Sequence, residues 1–505
     1  MHIIIIGAGP GGYETAVAAK KKGFDVTLIS AGLPGGTCLN EGCIPTKCFC
    51  HDSKVFSLLA ANLPEGQTDE LRKGMLEKMV ARKDEVVAQL REGVKSLLKG
   101  VELVSGIARV ADSHTVHVWP TEDECAAAAS LDPEFSEYKE YKADRIIIAT
   151  GSHPAWLNVP GATETPGVLS SSDMLRLKEI PRRLTVIGGG VIGLEFASIF
   201  SSLGSKVTVI EYCKNILPHF DVDLAKRLKQ SLSKSGITFL TGTEVTGISS
   251  STETSSDLEN PCSGQDDCPS ETDAQGVPVQ IVTCRCGDKV SAVVSDKVLM
   301  AVGRTADTRV ILGCEGIEHS RRGITVDDNM QTTLPGVYAV GDVNGRMMLA
   351  HAATFQGKVA LEHICNSMLE SGEVIHEGAS SAVRLDIMPA AVFTVPEAAT
   401  VGLTEEDCKE KGIAFKSFKS FYRANGKALA SEAGEGYCKI LVAQGGQTGF
   451  REGQILGCHI LGEGASDLIS EVAALMNFDA TAAELSSIIH PHPSLSEIIR
   501  NCVEL

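Results

Sequence analysis

A chain of 505 residues with 43% hydrophobic residues can bury several ordinary cores, and three or four domains are expected. Its formal net charge of -18 opposes phosphate backbones and anionic headgroups, whose affinity is carried largely by Lys and Arg, which argues against nucleic-acid and membrane partners. The first residues, MHIIIIGAGPGG, show no basic n-region and no cleavage site, so the sixteen cysteines read as mostly reduced thiols in a cytoplasmic protein.

Residues 2–30 read as strand, glycine turn, helix and strand: an apolar run at 3–6, a helix at 13–22 and a second strand at 26–29. A long helix with a solvated face is predicted over 71–98. Residues 121–140, rich in Ala and acids, read as a mobile surface insertion, as do residues 249–276, rich in Ser, Thr, Asp and Gly. Between them the N-terminal plan returns at 184–211, LTVIGGGVIGLEFASIFSSLGSKVTVIE. Two βαβ units therefore stand about 180 residues apart, and two nucleotides are implied. From about residue 390 the pattern shortens to α+β, with strands at 437–443 and 454–461 and helices at 466–476 and 494–503. That segment reads as an interface or substrate domain.

Each βαβ unit carries G-x-G-x-x-G between a strand and a helix: Gly7, Gly9 and Gly12 in the first, Gly188, Gly190 and Gly193 in the second. The first glycine makes the tight turn, the second lets backbone approach a pyrophosphate, and the third packs helix on strand. Glu211 closes the second unit 23 residues after Gly188, where a carboxylate favours the ribose of NAD and repels the 2′-phosphate of NADP. The matching position of the first unit, 23 residues after Gly7, is Ser30, whose hydroxyl can make only weaker contacts.

The sharpest signal is GGTCLNEGCIPTK, residues 35–47. Cys38 and Cys43, five apart, can bridge across a helix start, where amide N–H groups and the nearby Lys47 would lower a thiolate pKa. His492, flanked by prolines and followed by Glu497, has the side chains of an acid–base pair, since a His trades protons near neutrality while a carboxylate orients its ring.

These motifs resemble the class I pyridine nucleotide-disulfide oxidoreductases, and within that family the dihydrolipoamide dehydrogenase branch. The resemblance runs nearly end to end, through the ATGS of residues 149–152, the second glycine loop with Glu195, the AVGR of 301–304 and the VYAVGDV of 337–343. It continues through LAHAATFQG from Leu349, FTVPEAATVGLTE from Phe393 and HPHPSLSE from His490. Leu495-Ser496-Glu497 after the His-Pro run, and Ile192 where glutathione reductases carry a tyrosine, favour the lipoamide branch.

The resemblance implies an α/β fold with two Rossmann-like dinucleotide-binding domains, for FAD and NAD, plus a C-terminal α+β dimerisation domain. The division is an FAD domain at 1–155 and 305–376, an NAD domain at 156–304 and an interface domain at 377–505. By the same likeness, FAD lies on the first glycine loop with Ser30, Thr150, Gly151 and Ser152. Asp342 meets its ribityl chain, and Gly106, Met348, Leu349, Ala350 and His351 line it. Lys47 pairs with Glu195 near the flavin. NAD is held by the second glycine loop with Ile192, Glu195, Glu211, Val245 and Gly303. Cys38 is the interchange thiol, Cys43 faces the flavin, and His492 with Glu497 is the acid–base pair. A lipoyl group on a carrier domain or protein is the implied partner, and a homodimer the implied assembly. Reduction of another disulfide, or a redox-sensing nucleotide-binding role, are the alternatives.

Four features stand apart. Glu41, Thr46, Cys48 and Cys50 depart from the residues expected around the redox loop, and Cys48 and Cys50 read as small packing residues. Cys262, Cys268, Cys284 and Cys286 do not follow a usual zinc spacing and are expected on an exposed hairpin. No metal is expected. His490 reads as structural.

Overall fold

A computed structural model describes residues 1–64, 67–120, 137–251, 279–370, 383–445 and 449–504. Most of the two expected insertions, with Cys262 and Cys268, lies outside the described residues. The chain forms two compact units by interleaving: Met1–Pro45, Ala81–Pro154 and Arg304–Leu385 make one, and Thr46–Val80, Ala155–Gly303 and Asp386–Leu505 the other. No helix among the described residues is long and apolar enough to cross a membrane.

The first unit is built around the strand His2–Ile6, which pairs in parallel with Asp25–Ser30 on one side and Arg145–Ile148 on the other. Its four isoleucines are all buried because a central parallel strand is covered on both faces. Ile3 and Ile5 enter one core and Ile4 and Ile6 the other, as the two-residue period of a strand requires. Val337–Ala339 and Glu102–Val110 extend the sheet in parallel, and Thr115–Pro120 and Lys139–Lys142 add antiparallel strands. Against one face the helix Pro10–Lys21 packs closely on Ala350–Glu370. Small residues permit this approach: Gly11 faces Ala353, and Gly357 faces Thr15, whose hydroxyl donates to the Gly11 carbonyl at 2.5 Å.

The second unit holds a parallel sheet in the order Thr238–Thr241, Lys206–Glu211, Arg183–Ile187, Lys297–Met300 and Val168–Leu169. The helix Val191–Ser202 is buried from Gly193 to Phe200, so it lies inside the unit rather than on its surface. A five-stranded antiparallel sheet of residues 390–461 forms the C-terminal part, with Tyr437–Ala443 and Ile455–Leu461 fully buried at its centre. Buried Lys439 donates to Asp221, the N-cap of the helix Val222–Lys234, at 2.6 and 2.7 Å, which joins that helix to the C-terminal sheet. With the lysine 0% and the aspartate 1% exposed, removing Lys439 would strand the Asp221 charge in the interior, whereas Lys439 also donates to Glu405 at 3.1 Å.

Three local expectations change. The long helix predicted over 71–98 is Met75–Leu97 preceded by a short helix Thr68–Arg72, because Gly74 breaks the run at φ +68°. The last helix starts at Glu497 rather than near 494, since the Glu497 carboxylate turns back to accept the Ser494 N–H. Val279–Cys286 and Lys289–Ser295 do form a hairpin, but Cys284 is buried in the core and only Cys286 is exposed. The two lie on one face of the strand, and the core ends between them.

Candidate active site

In the first unit, Gly7 follows the strand His2–Ile6 at φ +108°, and a Cβ there would run into the Ala149 carbonyl. Gly12 abuts the Gly7 carbonyl in the same way, whereas a Cβ on Gly9 would meet nothing within 4 Å. The second unit repeats the arrangement: Gly188, at φ +112°, packs against the Ala301 carbonyl and Gly193 against that of Gly188, while Gly190 is open. Gly9 and Gly190 are each the N-cap of the helix that follows, and neither helix is capped by a side chain. Each loop therefore offers open backbone at a positive helix end, the requirement for holding a pyrophosphate.

At the strand ends the two units diverge. Glu211 is buried, and its two oxygens accept from the Gly189 N–H at 2.5 Å and the Cys213 N–H at 2.6 Å. The carboxylate is thus bound to the glycine loop itself and held in a fixed orientation. Ser30 instead turns onto its own chain, donating to the Gly32 carbonyl at 2.9 Å and accepting the Gly32 N–H at 3.3 Å.

Cys38 is half-buried on the short helix Gly36–Asn40, and Cys43 is exposed as the first residue of the helix Cys43–Ala61. Amides at that helix start favour a thiolate. On the same helix Lys47 donates to both carboxylate oxygens of Glu195 at 2.9 Å. Glu195, 4% exposed, also accepts the Phe393 N–H at 3.1 Å, and the Phe393 ring lies 4.3 Å from the Lys47 ammonium. Cys48 is buried, and Cys50, half-buried, has its thiol pushed up by burial and by the Glu195 charge. Both fit packing rather than a relay.

Thr150 donates to the Asp307 carbonyl at 2.8 Å, Gly151 sits at φ +76° with open space beside it, and Ser152 donates to Asp342 Oδ2 at 2.5 Å. Asp342 Oδ1, on a carboxylate only 22% exposed, has no protein donor among the described residues. A half-buried acceptor in this state suits a hydroxyl ligand such as a ribityl chain. Met348 and Leu349 lead into the helix Ala350–Glu370, of which Ala350 and His351 are the first residues. Gly106 lies mid-strand, where a Cβ would strike Val118 and the Trp119 carbonyl.

Elsewhere in the second unit Ile192 is half-buried beside one core, Val245 is buried in another, and Gly303, at φ +115°, is open. His492 is 80% exposed, with Nδ1 3.0 Å from Glu497 Oε1, and Nε2 is left without a protein partner among the described residues. The Ser494 N–H and the His492 ring hold the Glu497 carboxyl below its usual range. His490, by contrast, is buried between the Ile488 carbonyl and Glu471.

Residues 1–357 match the family described as pyridine nucleotide-disulphide oxidoreductase, and residues 388–503 match its dimerisation domain. The chain belongs to this family. It is similar to the mitochondrial dihydrolipoyl dehydrogenase of Pisum sativum, 34% identical over 99% of this chain and 90% of that one. It is also 34% identical to dihydrolipoyl dehydrogenase 3 of Pseudomonas aeruginosa, over 99% of this chain and 96% of that protein. Among solved structures, the HOCl-induced flavoprotein disulfide reductase RclA of Escherichia coli aligns with a TM-score of 0.77 and 27% identity over 100% of both chains.

As a pyridine nucleotide-disulphide oxidoreductase, the chain is an FAD-dependent oxidoreductase that uses a nicotinamide nucleotide. The two open glycine loops and the Asp342 oxygen without a donor fit those cofactors. Two residues of this geometry stand in the family motifs without a role read from sequence: Phe393, whose backbone meets Glu195, and Arg304, which contacts Ser152. Their neighbours lie 198 and 152 positions away, a separation no local pattern reveals.

Proposed function

We propose that the protein is a homodimeric dihydrolipoyl dehydrogenase, organised as FAD domain, NAD domain and interface domain along the expected boundaries. The observation that carries the reading is the exposed His492 ring, oriented by Glu497 through Nδ1 and open at Nε2, in a chain that also bears Cys38 and Cys43. Relatives named dihydrolipoyl dehydrogenase at 34% identity over 99% of the chain support the substrate class.

In this mechanism His492 Nε2 accepts a proton from one dihydrolipoamide thiol, and Glu497 keeps the ring in the tautomer that can accept it. The substrate thiolate attacks Cys38 Sγ of the Cys38–Cys43 disulfide, forming a mixed disulfide and releasing the Cys43 thiolate. The second substrate thiol passes its proton to Cys38 as its sulfur displaces it, so lipoamide leaves as a disulfide and the protein holds a Cys38 thiol, a Cys43 thiolate and a protonated His492. When bound, FAD and NAD⁺ supply the two-electron acceptor and hydride carrier that return the cysteines to the disulfide. Lys47, fixed by Glu195, contributes a positive charge near the flavin, and Glu211 selects the nucleotide by its fixed carboxylate.

The test compares rates of the purified, FAD-loaded protein with dihydrolipoamide plus NAD⁺ and with oxidised glutathione plus NADPH. Faster turnover of dihydrolipoamide is expected. Preference for glutathione would move the protein to the reductases of other disulfides.

A further inference from the structure

Arg304 is paired across two short strands, Arg304–Ala306 and Ser152–Pro154, and its side chain is only 17% exposed. Its Nε donates to Ser152 Oγ at 2.6 Å and an Nη to the Ser152 carbonyl at 2.6 Å. A guanidinium has no acceptor, so Ser152 Oγ must accept from it, and the one hydroxyl proton is left for Asp342 Oδ2, 2.5 Å away. The direction of every proton in the chain Arg304, Ser152, Asp342 is therefore determined. Asp342 is held as an acceptor, with Oδ1 directed to whatever ligand it meets. Arg304 Nε also stands 3.8 Å from Asp342 Oδ2, so its charge offsets that of a half-buried carboxylate.

We infer that Arg304 is a positioning residue of the flavin seat, acting through Ser152 to aim the Asp342 carboxylate at a ribityl hydroxyl. This rests on the proposed function, with Asp342 meeting the flavin's ribityl chain as the family resemblance implies. Burial pulls the Arg304 guanidinium below its ordinary value, while Asp342, Cys43 and Glu41 pull it back up. The guanidinium lies within electrostatic reach of the redox loop as well. A lysine here could keep the charge but would lose the fork that grips both the hydroxyl and the carbonyl of Ser152.

The test measures FAD release from purified holoprotein, and FAD rebinding, for Arg304→Met, Arg304→Lys and Ser152→Ala. Ser152→Ala is the smallest truncation and leaves Arg304 intact, so it carries the test if Arg304→Met fails to fold. Arg304→Met and Ser152→Ala should each weaken FAD binding by about tenfold or more, the usual size for a charge-assisted hydrogen bond, with Arg304→Lys between them and the unmodified protein. Stripped of FAD, Ser152→Ala and the unmodified protein should share a thermal midpoint and separate as FAD is added, whereas a defect confined to protein packing would lower the midpoint of the stripped protein itself. The inference is overturned if both variants hold FAD as the unmodified protein does, or if Arg304→Met weakens binding and Ser152→Ala does not. Failure of the unmodified protein to turn over dihydrolipoamide would count against the proposed function alone, because FAD release is read without substrate.

Discussion

Both carboxylate oxygens of Glu195 accept from the Lys47 ammonium at 2.9 Å, across 148 positions of sequence. The glutamate is 4% exposed and the lysine 32%, so solvent screens one end of the pair and not the other. Truncation at Glu195→Ala should deprive a half-buried ammonium of its carboxylate and cost about 1–3 kcal/mol, below the range for a fully buried pair. Lys47→Met combined with Glu195→Leu should cost less than the sum of the single changes. Urea midpoints of the FAD-loaded variants measure this, and strict additivity would show that the two residues do not stabilise each other.

Cys43 heads a helix and is exposed, whereas Cys38 is half-buried on the short helix before it. If Cys43 is the thiolate that faces the flavin, the two-electron-reduced protein should show a long-wavelength absorbance band. Cys43→Ser should abolish the band and Cys38→Ser should retain it. The opposite pattern in anaerobic reductive titrations would exchange the roles of the two cysteines.

The glycine loops were legible in the sequence because turn and close approach leave no room for a Cβ at Gly7, Gly12, Gly188 and Gly193, and those demands recur at fixed spacing. Strand ends such as Tyr437–Ala443 were legible from apolar runs of strand length. The Lys47–Glu195 and His492–Glu497 pairs could be named through family likeness, and the structure brings each together. What periodicity does not carry is the direction of individual hydrogen bonds. Glu211 looked like a carboxylate waiting for a ribose, yet it is also a clamp on the Gly189 amide. Arg304 looked like one residue of a motif, and only three-dimensional pairing puts its guanidinium on Ser152. Cys284 and Cys286 share one strand face, and where the core stops along it is a tertiary matter.

If Glu211 reads the nucleotide, its charge and its grip on the glycine loop should act separably. Glu211→Ala should lower the ratio of kcat/KM for NAD⁺ over NADP⁺ by about tenfold or more, by removing both the repulsion of a 2′-phosphate and an acceptor for the Gly189 N–H. Glu211→Gln retains an acceptor for the loop and removes the charge, so it should narrow the ratio with a smaller loss of NAD⁺ turnover. Unmodified protein that prefers NADP⁺ would sink the assignment.

His459 offers a stability prediction. It is fully buried, accepting from Thr400 Oγ1 at Nδ1 and donating to the Leu403 carbonyl from Nε2. Burial pushes its pKa down to about 4 from 6.5, with Asp221 opposing and Lys439 assisting the shift. Between those values the unfolded chain binds the proton and the native protein does not, so stability falls as the pH is lowered from about 6.5 to about 4. The loss for this group approaches about 3 kcal/mol and is absent above the upper limit. Urea midpoints at neutral and acid pH should therefore draw closer together in His459→Gln. An unchanged difference between the two pH values would remove His459 from the acid response.

The last prediction concerns assembly. The chain carries the family's dimerisation domain at residues 388–503, and His492 lies within it, 80% exposed and tethered by Glu497. We expect each site of a two-fold dimer to take Cys38 from one subunit and His492 from the other. Cys38→Ser and His492→Gln proteins should then each be nearly inactive, while a mixed dimer regains one site, built from the intact Cys38 of one chain and the intact His492 of its partner. If co-expressed chains pair at random, about a quarter of all sites should work, because half the dimers are mixed and each restores one of its two sites. Separate tags on the two variants allow mixed dimers to be isolated, in which about half the sites should be active. Isolated, FAD-loaded mixed dimers with no recovered activity would mean that Cys38 and His492 act within one chain.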